Sequence, residues 1–272
     1  MDAYRIGLFE QAKNAPCIKH YLEKNNTPME IVVTNDDGWG TKGIRTLVAE
    51  MSKLGHVTVI APDGPRSGNA ACISVAKPMY LKKLENECTE SVDVYTTKGT
   101  PADCIKFATN IVFKNRKIDL VASGINHGNN GSINLIYSGT MGACFVATEH
   151  GIPAIGFSLD DHSMDADFSR MQPYLTEIAK MLIDKGFKPN ECYNVNAPKG
   201  EIAGIKWARQ CHGHWADELE AHTDEQGNTY YTLIGSYINH EPDDETTDIW
   251  ALGHGYISIQ PVSIDMTAHG SL

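Results

Sequence analysis

Short apolar runs alternate with amphipathic stretches from residue 30 onward. The runs are rich in β-branched residues and most are bounded by Gly, Pro or Ser, which is typical of buried strands. They cover residues 31–34, 57–61, 92–96, 118–122 and 154–158. Between them, apolar residues recur at helical spacing over 44–54 and 171–182, and Thr100-Pro101-Ala102-Asp103 is typical of a helix start. Strand and helix in repeated alternation predict an α/β fold, a doubly wound and mostly parallel sheet covered on both faces.

The pattern changes after about residue 200. Aromatic residues are scattered among acidic and Gly-containing turns, and the one clear β-rich run is 230–234. Such segments favour β-hairpins over crossover units. We therefore expect a core over 29–198 and a smaller β-rich C-terminal extension over 199–272. Its aromatic residues either make oligomer contacts or pack a small local core; they are Trp207, Trp215, Tyr237 and Trp250.

The first 28 residues are polar and weakly patterned, and 24–28 resemble a linker. Met29 follows immediately, just before the first strand. We therefore hypothesise that Met29 is the biological start and that residues 1–28 are an N-terminal extension or the product of a mispredicted upstream reading frame. The intact mass of the native protein tests this hypothesis.

Composition narrows the classes of partner. The chain has 272 residues, 42% hydrophobic and 21% charged, as in an ordinary globular protein. A net charge of -11 argues against a polymeric nucleic acid as partner. No apolar stretch approaches the roughly 18 to 20 residues that cross a bilayer, and no signal peptide is evident, so we expect a cytoplasmic protein that binds no membrane. The seven widely spaced cysteines favour buried thiols over zinc or disulfide roles.

Two adjacent carboxylates end the first predicted strand, in Asn35-Asp36-Asp37-Gly38. The carboxyl ends of strands are where open α/β sheets bind ligands. Neighbouring carboxylates repel each other unless a positive charge lies between them, which suggests a hard divalent cation. The alternative is an ordinary acidic turn, since Asn, Asp and Gly all favour turns.

Three further stretches follow predicted strands or open a predicted helix. The loop after the second strand offers Arg66, Ser67 and Asn69, although a plain surface loop is the favoured explanation when this stretch is taken alone. Residues 123–131 hold three glycines and three asparagines, which suit close anion approach and metal ligation. Ser138-Gly139-Thr140 opens a small, apolar helix whose free N–H groups suit a phosphate, or form a simple cap.

A doubly wound sheet brings these loops to one edge. Carboxylate, hydroxyl and amide oxygens suit Mg²⁺ or Mn²⁺, and the lack of paired Cys and His argues against zinc. A phosphate site beside such a cation predicts metal-assisted phosphoester hydrolysis.

Ordered motifs over about residues 29–262 resemble the SurE survival proteins, which are metal-dependent 5′-nucleotidases. Beyond the segments above, the resemblance includes Ala61-Pro62, Ser67-Gly68, Gly99-Thr100-Pro101-Ala102-Asp103-Cys104, Ser123-Gly124-Ile125-Asn126, Tyr137-Ser138-Gly139-Thr140, Asn194-Val195-Asn196-Ala197-Pro198, Thr247-Asp248 and Gly255-Tyr256-Ile257-Ser258. It implies a Rossmann-like core, a C-terminal extension exchanged between subunits, and a homodimer or homotetramer. The implied substrates are nucleoside 5′-monophosphates.

The resemblance also implies roles for individual residues. One divalent cation per subunit, Mg²⁺ or Mn²⁺, would be held by Asp36, Asp37, Ser67 and Asn126. Phosphate would contact Asn130, Ser138, Gly139 and Thr140. Two positions depart from the family pattern: Asn134 stands where an acidic residue is common, and Val146-Ala147 where Glu-Gly is common.

We hypothesise that a metal-activated water attacks phosphorus in line, with Asp36 and Asp37 as the catalytic residues and Asp36 deprotonating or orienting the water. A covalent aspartyl phosphatase is disfavoured because such enzymes separate their two acids by one residue. A dinucleotide oxidoreductase lacks its Gly-x-Gly-x-x-Gly signal here. The alternative from another class is a nucleotide-binding sensor without turnover.

Overall fold

The computed structural model describes residues 28–163 and 165–268 of the chain. The predicted N-terminal extension, except Pro28, lies outside the described residues. Nine strands form the main sheet, in the order β3-β4-β2-β1-β5-β6-β7-β13-β8, and four more form two-stranded sheets. The strands are β1 (Met29–Thr34), β2 (Gly55–Pro62), β3 (Leu81–Lys83), β4 (Val92–Thr97), β5 (Leu120–His127), β6 (Ala154–Leu159), β7 (Glu191–Ala197), β8 (Gly204–Trp207), β9 (Gly213–Ala216), β10 (Leu219–Thr223), β11 (Thr229–Leu233), β12 (Ser236–Asn239) and β13 (Tyr256–Ser263).

Helices cover both faces of the main sheet. The α-helices are α1 (Lys42–Met51), α2 (Pro101–Phe107), α3 (Gly139–Glu149), α4 (Gln172–Lys185) and α5 (Asp248–Gly253). Short 3₁₀ segments lie at Glu85–Glu87 and Ser132–Ile136, and a π-helical turn spans Ala108–Val112. The predicted start of α2 is confirmed, since the Thr100 hydroxyl accepts from the Asp103 N–H and the Asp103 carboxylate accepts from the Thr100 N–H.

Alternation along β1 explains the two layers of core. Ile31 and Val33 face α1 and α4, whereas Val32 faces α2 and α3. Neighbouring strands within β2-β1-β5-β6-β7 are parallel, and β3 and β13 pair antiparallel with β4 and β7. The prediction of a doubly wound, mostly parallel α/β sheet is therefore confirmed.

The chain reverses its direction of strand addition between β1 and β5. From β1 it builds β2 and β4 on one side, returns through α2, and then adds β5, β6 and β7 on the other side. Such a switch point opens a crevice at the carboxyl ends of its two strands. The predicted acidic turn and the Asn-rich segment both lie at this crevice.

One local prediction is wrong. Residues 123–127, expected in a loop, continue β5 as far as His127. The strand is irregular between Ser123 and Asn126, where its pairing with β6 shifts register. Gly124 has φ +127, and a Cβ there would lie 2.2 Å from the Phe157 carbonyl oxygen, so a glycine is needed for the irregularity.

The C-terminal region is more strand-rich than its one clear apolar run suggested. β10 and β11 form the expected antiparallel hairpin, and β9 pairs with β12. β8 and β13 instead continue the main sheet beyond β7, so the sheet extends past residue 198; the boundary predicted there stays a prediction. Within the described ranges, no helix is long and apolar enough to cross a membrane.

Candidate active site

Hydrogen bonds from the Asn35 side chain shape the turn after β1. The Asn35 Oδ1 accepts from the Gly38 N–H at 3.0 Å, and its Nδ2 donates to the Gly38 carbonyl at 3.2 Å. Gly38 has φ +93, a conformation that favours glycine. Asn35 therefore serves the turn itself, which presents Asp36 and Asp37 at the crevice.

Asp36 is held from two sides. Its Oδ1 accepts a 2.7 Å hydrogen bond from the Thr140 hydroxyl, and its carbonyl accepts a 2.6 Å bond from the Arg66 N–H. Gly139 lies against it so closely that a Cβ there would be 2.9 Å from the Asp36 Cβ. The start of α3 and the loop after β2 thus both contact the acidic turn, as the sheet-edge argument predicted.

The environment of Asp36 disfavours its charge. Burial, and then the charge of neighbouring Asp37, raise the pKa of the Asp36 carboxyl to about 6, although the bond from Thr140 acts in the opposite direction. Only 3% of the residue is exposed. A cation beside the two carboxylates would offset both the burial and the repulsion.

Asp37 has a histidine partner, His127. The Nδ1 of His127, at the end of β5, lies 2.9 Å from the Asp37 Oδ2. The His127 side chain is 5% exposed, and its ring meets Phe168 edge to face with centroids 5.2 Å apart. The structure buries the His127 side chain beside the acidic pair, a contact that the sequence alone does not indicate.

The other two predicted metal ligands flank these contacts. Asn126 immediately precedes His127, and its Nδ2 donates to the Gly128 carbonyl at 2.8 Å. That bond leaves the amide oxygen for another partner. Ser67 is exposed and follows Arg66, whose N–H reaches Asp36. The Arg66 guanidinium itself bonds the Asp63 carboxylate at 2.9 Å, so its charge is already paired.

The predicted phosphate residues divide into two groups. Ser138 caps α3 by accepting from the Met141 N–H at 3.1 Å, and Gly139 and Thr140 form the first turn beside Asp36. The backbone N–H groups of this first turn have no helical partner and carry the positive end of the helix dipole. This geometry suits an anion.

Asn130 lies instead in a buried amide network. Its N–H donates to the Asn196 Oδ1 at 2.7 Å, and its Nδ2 donates to the Ser158 hydroxyl at 2.8 Å. Asn194 donates both to the Asn130 carbonyl and to Gln260. The network fixes the segment after β5 to β6, β7 and β13, and it commits one N–H of the Asn130 amide. Contact between Asn130 and phosphate stays a prediction.

The two departures from the family pattern have local roles. Asn134 accepts a 2.8 Å hydrogen bond from the Trp215 indole, which ties the site segment to the C-terminal region. Val146 and Ala147 are buried in the core beneath the site. The Trp215 and Tyr237 rings also pack edge to face with their centroids 6.0 Å apart, so these two aromatic residues pack locally within the chain.

The donor set fits a hard divalent cation better than a soft one. Within residues 28–163 and 165–268, no group of three or more His, Cys, Asp and Glu side chains is arranged to hold a metal. The predicted set contains only two such side chains, Asp36 and Asp37, and completes its oxygen donors with Ser67 and Asn126. Cys104 and Cys144 lie in the core, and burial raises their pKa values above that of an ordinary thiol.

Comparisons with known proteins show the family to which the chain is similar. A family model described as survival protein SurE matches residues 31–217. The 5′-nucleotidase SurE of Bacteroides fragilis is 44% identical over 247 residues, 90% of this chain and 95% of that protein. The 5′-nucleotidase SurE of Flavobacterium psychrophilum is 45% identical and covers 89% of this chain and 94% of its own. The crystal structure of the SurE protein from Aquifex aeolicus superposes with a TM-score of 0.77 at 30% identity, over 89% of this chain and 96% of that one.

Proposed function

The chain belongs to the SurE family of 5′-nucleotidases, and we propose that it hydrolyses nucleoside 5′-monophosphates at the carboxyl ends of β1 and β5. One observation carries the proposal at the level of the site. Two adjacent carboxylates are each anchored by a different neighbouring element: Asp36 by Thr140 of α3, and Asp37 by His127 of β5. A simple acidic turn needs neither anchor.

We propose that Asp36, Asp37, Ser67 and Asn126 hold one Mg²⁺ or Mn²⁺. The raised pKa of Asp36 and its position beside Asp37 favour a cation there, and hard oxygen donors suit these ions. When bound, the ion would neutralise phosphoryl charge and acidify a water. Phosphate release by the purified chain with each ion measures which of the two supports faster turnover.

The remaining residues bind and orient the substrate. The first turn of α3 would receive phosphoryl oxygens through its free N–H groups, with Ser138, Gly139 and Thr140 in place beside Asp36. Asn130 would contact the phosphate from the far side of the crevice, while the amide network holds its backbone. Asp36 would orient or deprotonate the attacking water, since it lies next to the helix start that receives the phosphoryl group.

A direct test uses the purified full chain. Phosphate release is measured from AMP, GMP, CMP and UMP with Mg²⁺ or Mn²⁺, and after EDTA treatment. The proposal expects turnover that EDTA abolishes and that added metal restores. Nucleotide binding without phosphate release would instead identify a sensor, and release that resists EDTA would refute the metal requirement.

We further propose a homodimer or homotetramer assembled through the C-terminal region. Large apolar side chains of the β10–β11 hairpin face solvent, including Leu219, Tyr231 and Leu233. Exposed patches of this kind mark interaction surfaces. Light scattering coupled to gel filtration measures the mass of the assembly, and a monomer at micromolar concentration would contradict the proposal. The cytoplasmic location stays a prediction.

A further inference from the structure

We infer that His127 is a positioning residue, which holds Asp37 in the orientation that the cation requires. This inference rests on the function proposed above. His127 belongs to neither predicted residue set, and it contacts one of the proposed ligands, Asp37. The ring lies at the end of β5, directly after Asn126.

The hydrogen bond leaves one defined oxygen of Asp37 for a ligand. His127 Nδ1 donates to the Asp37 Oδ2 at 2.9 Å, and no residue in the described part of the chain donates a hydrogen bond to Oδ1. The Asp37 side chain is 15% exposed and the His127 side chain 5%, so water competes little for the bond. The carboxylate is therefore held in one rotamer with a single oxygen presented.

The surroundings of the ring argue against a packing role alone. His127 Nε2 is buried and has no hydrogen-bond partner among the described residues. Such atoms are rare in folded proteins, because burial removes their water. A phenylalanine would fill the same space against Phe168 without leaving a buried nitrogen unpartnered. What histidine adds at this position is the Nδ1–H that bonds Asp37.

The hydrogen bond from His127 opposes the effect of repulsion between the Asp36 and Asp37 carboxylates. Asp36 is fixed by Thr140, so Asp37 is the carboxylate that can turn away from its neighbour when no cation is present. His127 opposes that rotation from the other strand of the switch point. Hydrogen bonds to metal-binding carboxylates commonly set their orientation, and losing one lowers metal affinity about 10- to 100-fold.

Two substitutions separate the donor from the ring. His127→Phe keeps the ring shape and removes the donor. His127→Asn loses the ring but places an amide N–H the same number of bonds from Cα as Nδ1. Titration calorimetry of Mn²⁺ into the metal-free full chain should show affinity about 10- to 100-fold weaker for the Phe variant and within about threefold of wild type for the Asn variant.

Activity gives a second readout. The Phe variant should need more Mn²⁺ for half-maximal AMP hydrolysis, and saturating Mn²⁺ should restore most of its kcat. His56→Phe is the matched control, since His56 lies beside the carboxylates of Glu30 and Asp93 on strands of the same sheet, away from the acidic turn. Its Mn²⁺ affinity should equal that of wild type. Thermal unfolding checks that each variant folds.

Three results would overturn the inference. One is a folded Phe variant that binds Mn²⁺ as tightly as wild type, and another is an Asn variant as weak as the Phe variant. If the Phe variant does not fold, His127→Gln replaces it, because the Gln amide reaches the position of Nε2 and not that of Nδ1. Normal Mn²⁺ affinity of the Gln variant is the third result that would overturn the inference. Wild-type protein that binds no Mn²⁺ and releases no phosphate would refute the proposed function as well, which distinguishes the two failures.

Discussion

In folded proteins most polar side chains are exposed and most large apolar side chains are buried. The crevice between β1 and β5 and the β10–β11 hairpin depart from this distribution in opposite ways. In the crevice, Asp36 and His127 are polar and buried; on the hairpin, Tyr231 and Leu233 are apolar and exposed by 62% and 76%. Buried polar groups and exposed apolar groups are the informative exceptions in a folded protein. We propose that each is explained by something outside the single chain: a cation and a phosphate in the crevice, and a second subunit on the hairpin.

The largest expected effect comes from removing charge in the crevice. Asp36→Asn should lower AMP hydrolysis at saturating Mn²⁺ by about 100-fold or more, because the variant loses a proposed metal ligand and a candidate proton acceptor. Without metal, the same variant should be at least as heat-stable as wild type, since burial and the neighbouring Asp37 both disfavour the negative charge of the wild-type Asp36 carboxylate. Near-normal turnover of the metal-loaded variant would refute the role of Asp36.

A single methyl group tests how tightly the crevice is built. Gly139→Ala places a Cβ 2.9 Å from the Asp36 Cβ and 3.0 Å from its Oδ2, so the carboxylate or the helix start must shift. We expect a roughly tenfold or greater loss of kcat/KM, because small displacements of a catalytic group are costly. Gly253→Ala is a suitable control, as no atom lies within 4 Å of its Cβ position. Equal activity of the two variants would contradict the tight packing.

On the β10–β11 hairpin, the test is to replace exposed apolar side chains by polar ones. Leu233→Ser combined with Tyr231→Ser should reduce the mass of the assembly measured by light scattering. Because both side chains are exposed within one chain, any cost to the stability of the monomer should stay within about 0.5 kcal/mol. An unchanged assembly would show that the hairpin is not the contact surface.

A carboxylate outside the crevice, Asp103, supplies the smallest expected effect. Asp103 is 1% exposed, close to the 3% of Asp36, yet its pKa is lowered. Burial raises the pKa of Asp103, but hydrogen bonds from Thr100 and Ser74 outweigh that effect. Asp103 therefore stabilises the fold above its unfolded pKa, and this contribution is lost as the pH falls through the lowered folded value.

The expected magnitude can be measured by chemical unfolding across pH. Asp103→Ala should lower the free energy of unfolding by about 1 to 2 kcal/mol at pH 7, through the lost hydrogen bonds. The difference from wild type should shrink below about pH 4, because the unfolded wild-type chain takes up a proton on Asp103 there before the folded protein does. A difference that grows on acidification would mean that the sign is wrong.

Local signals account for what the sequence predicted correctly. The run of β-branched residues in β1, the Asn-Asp-Asp-Gly turn and the Thr100 cap are formed by residues within a few positions of one another. The approach of Thr140 to Asp36, 104 residues apart, was predictable in outline because a doubly wound sheet gathers strand ends at one edge.

Long-range pairing accounts for what the sequence did not predict. His127 acquires its role from Asp37, 90 residues away, and no pattern near His127 indicates that bond. The end of β5 was expected to be a loop because Gly and Asn are common in turns, whereas here Gly124 fits an irregular strand. β13 joins the main sheet by pairing with β7, and β8 joins it by pairing with β13, which short mixed segments do not reveal.

The most direct test of the central claim is the titration of Mn²⁺ into the metal-free chain, monitored by calorimetry. We expect one site per chain in the wild-type protein, with binding lost or weakened at least about 100-fold in Asp36→Asn and in Asp37→Asn. Wild-type affinity in both folded variants would show that the acidic pair is a structural turn rather than half of a metal site.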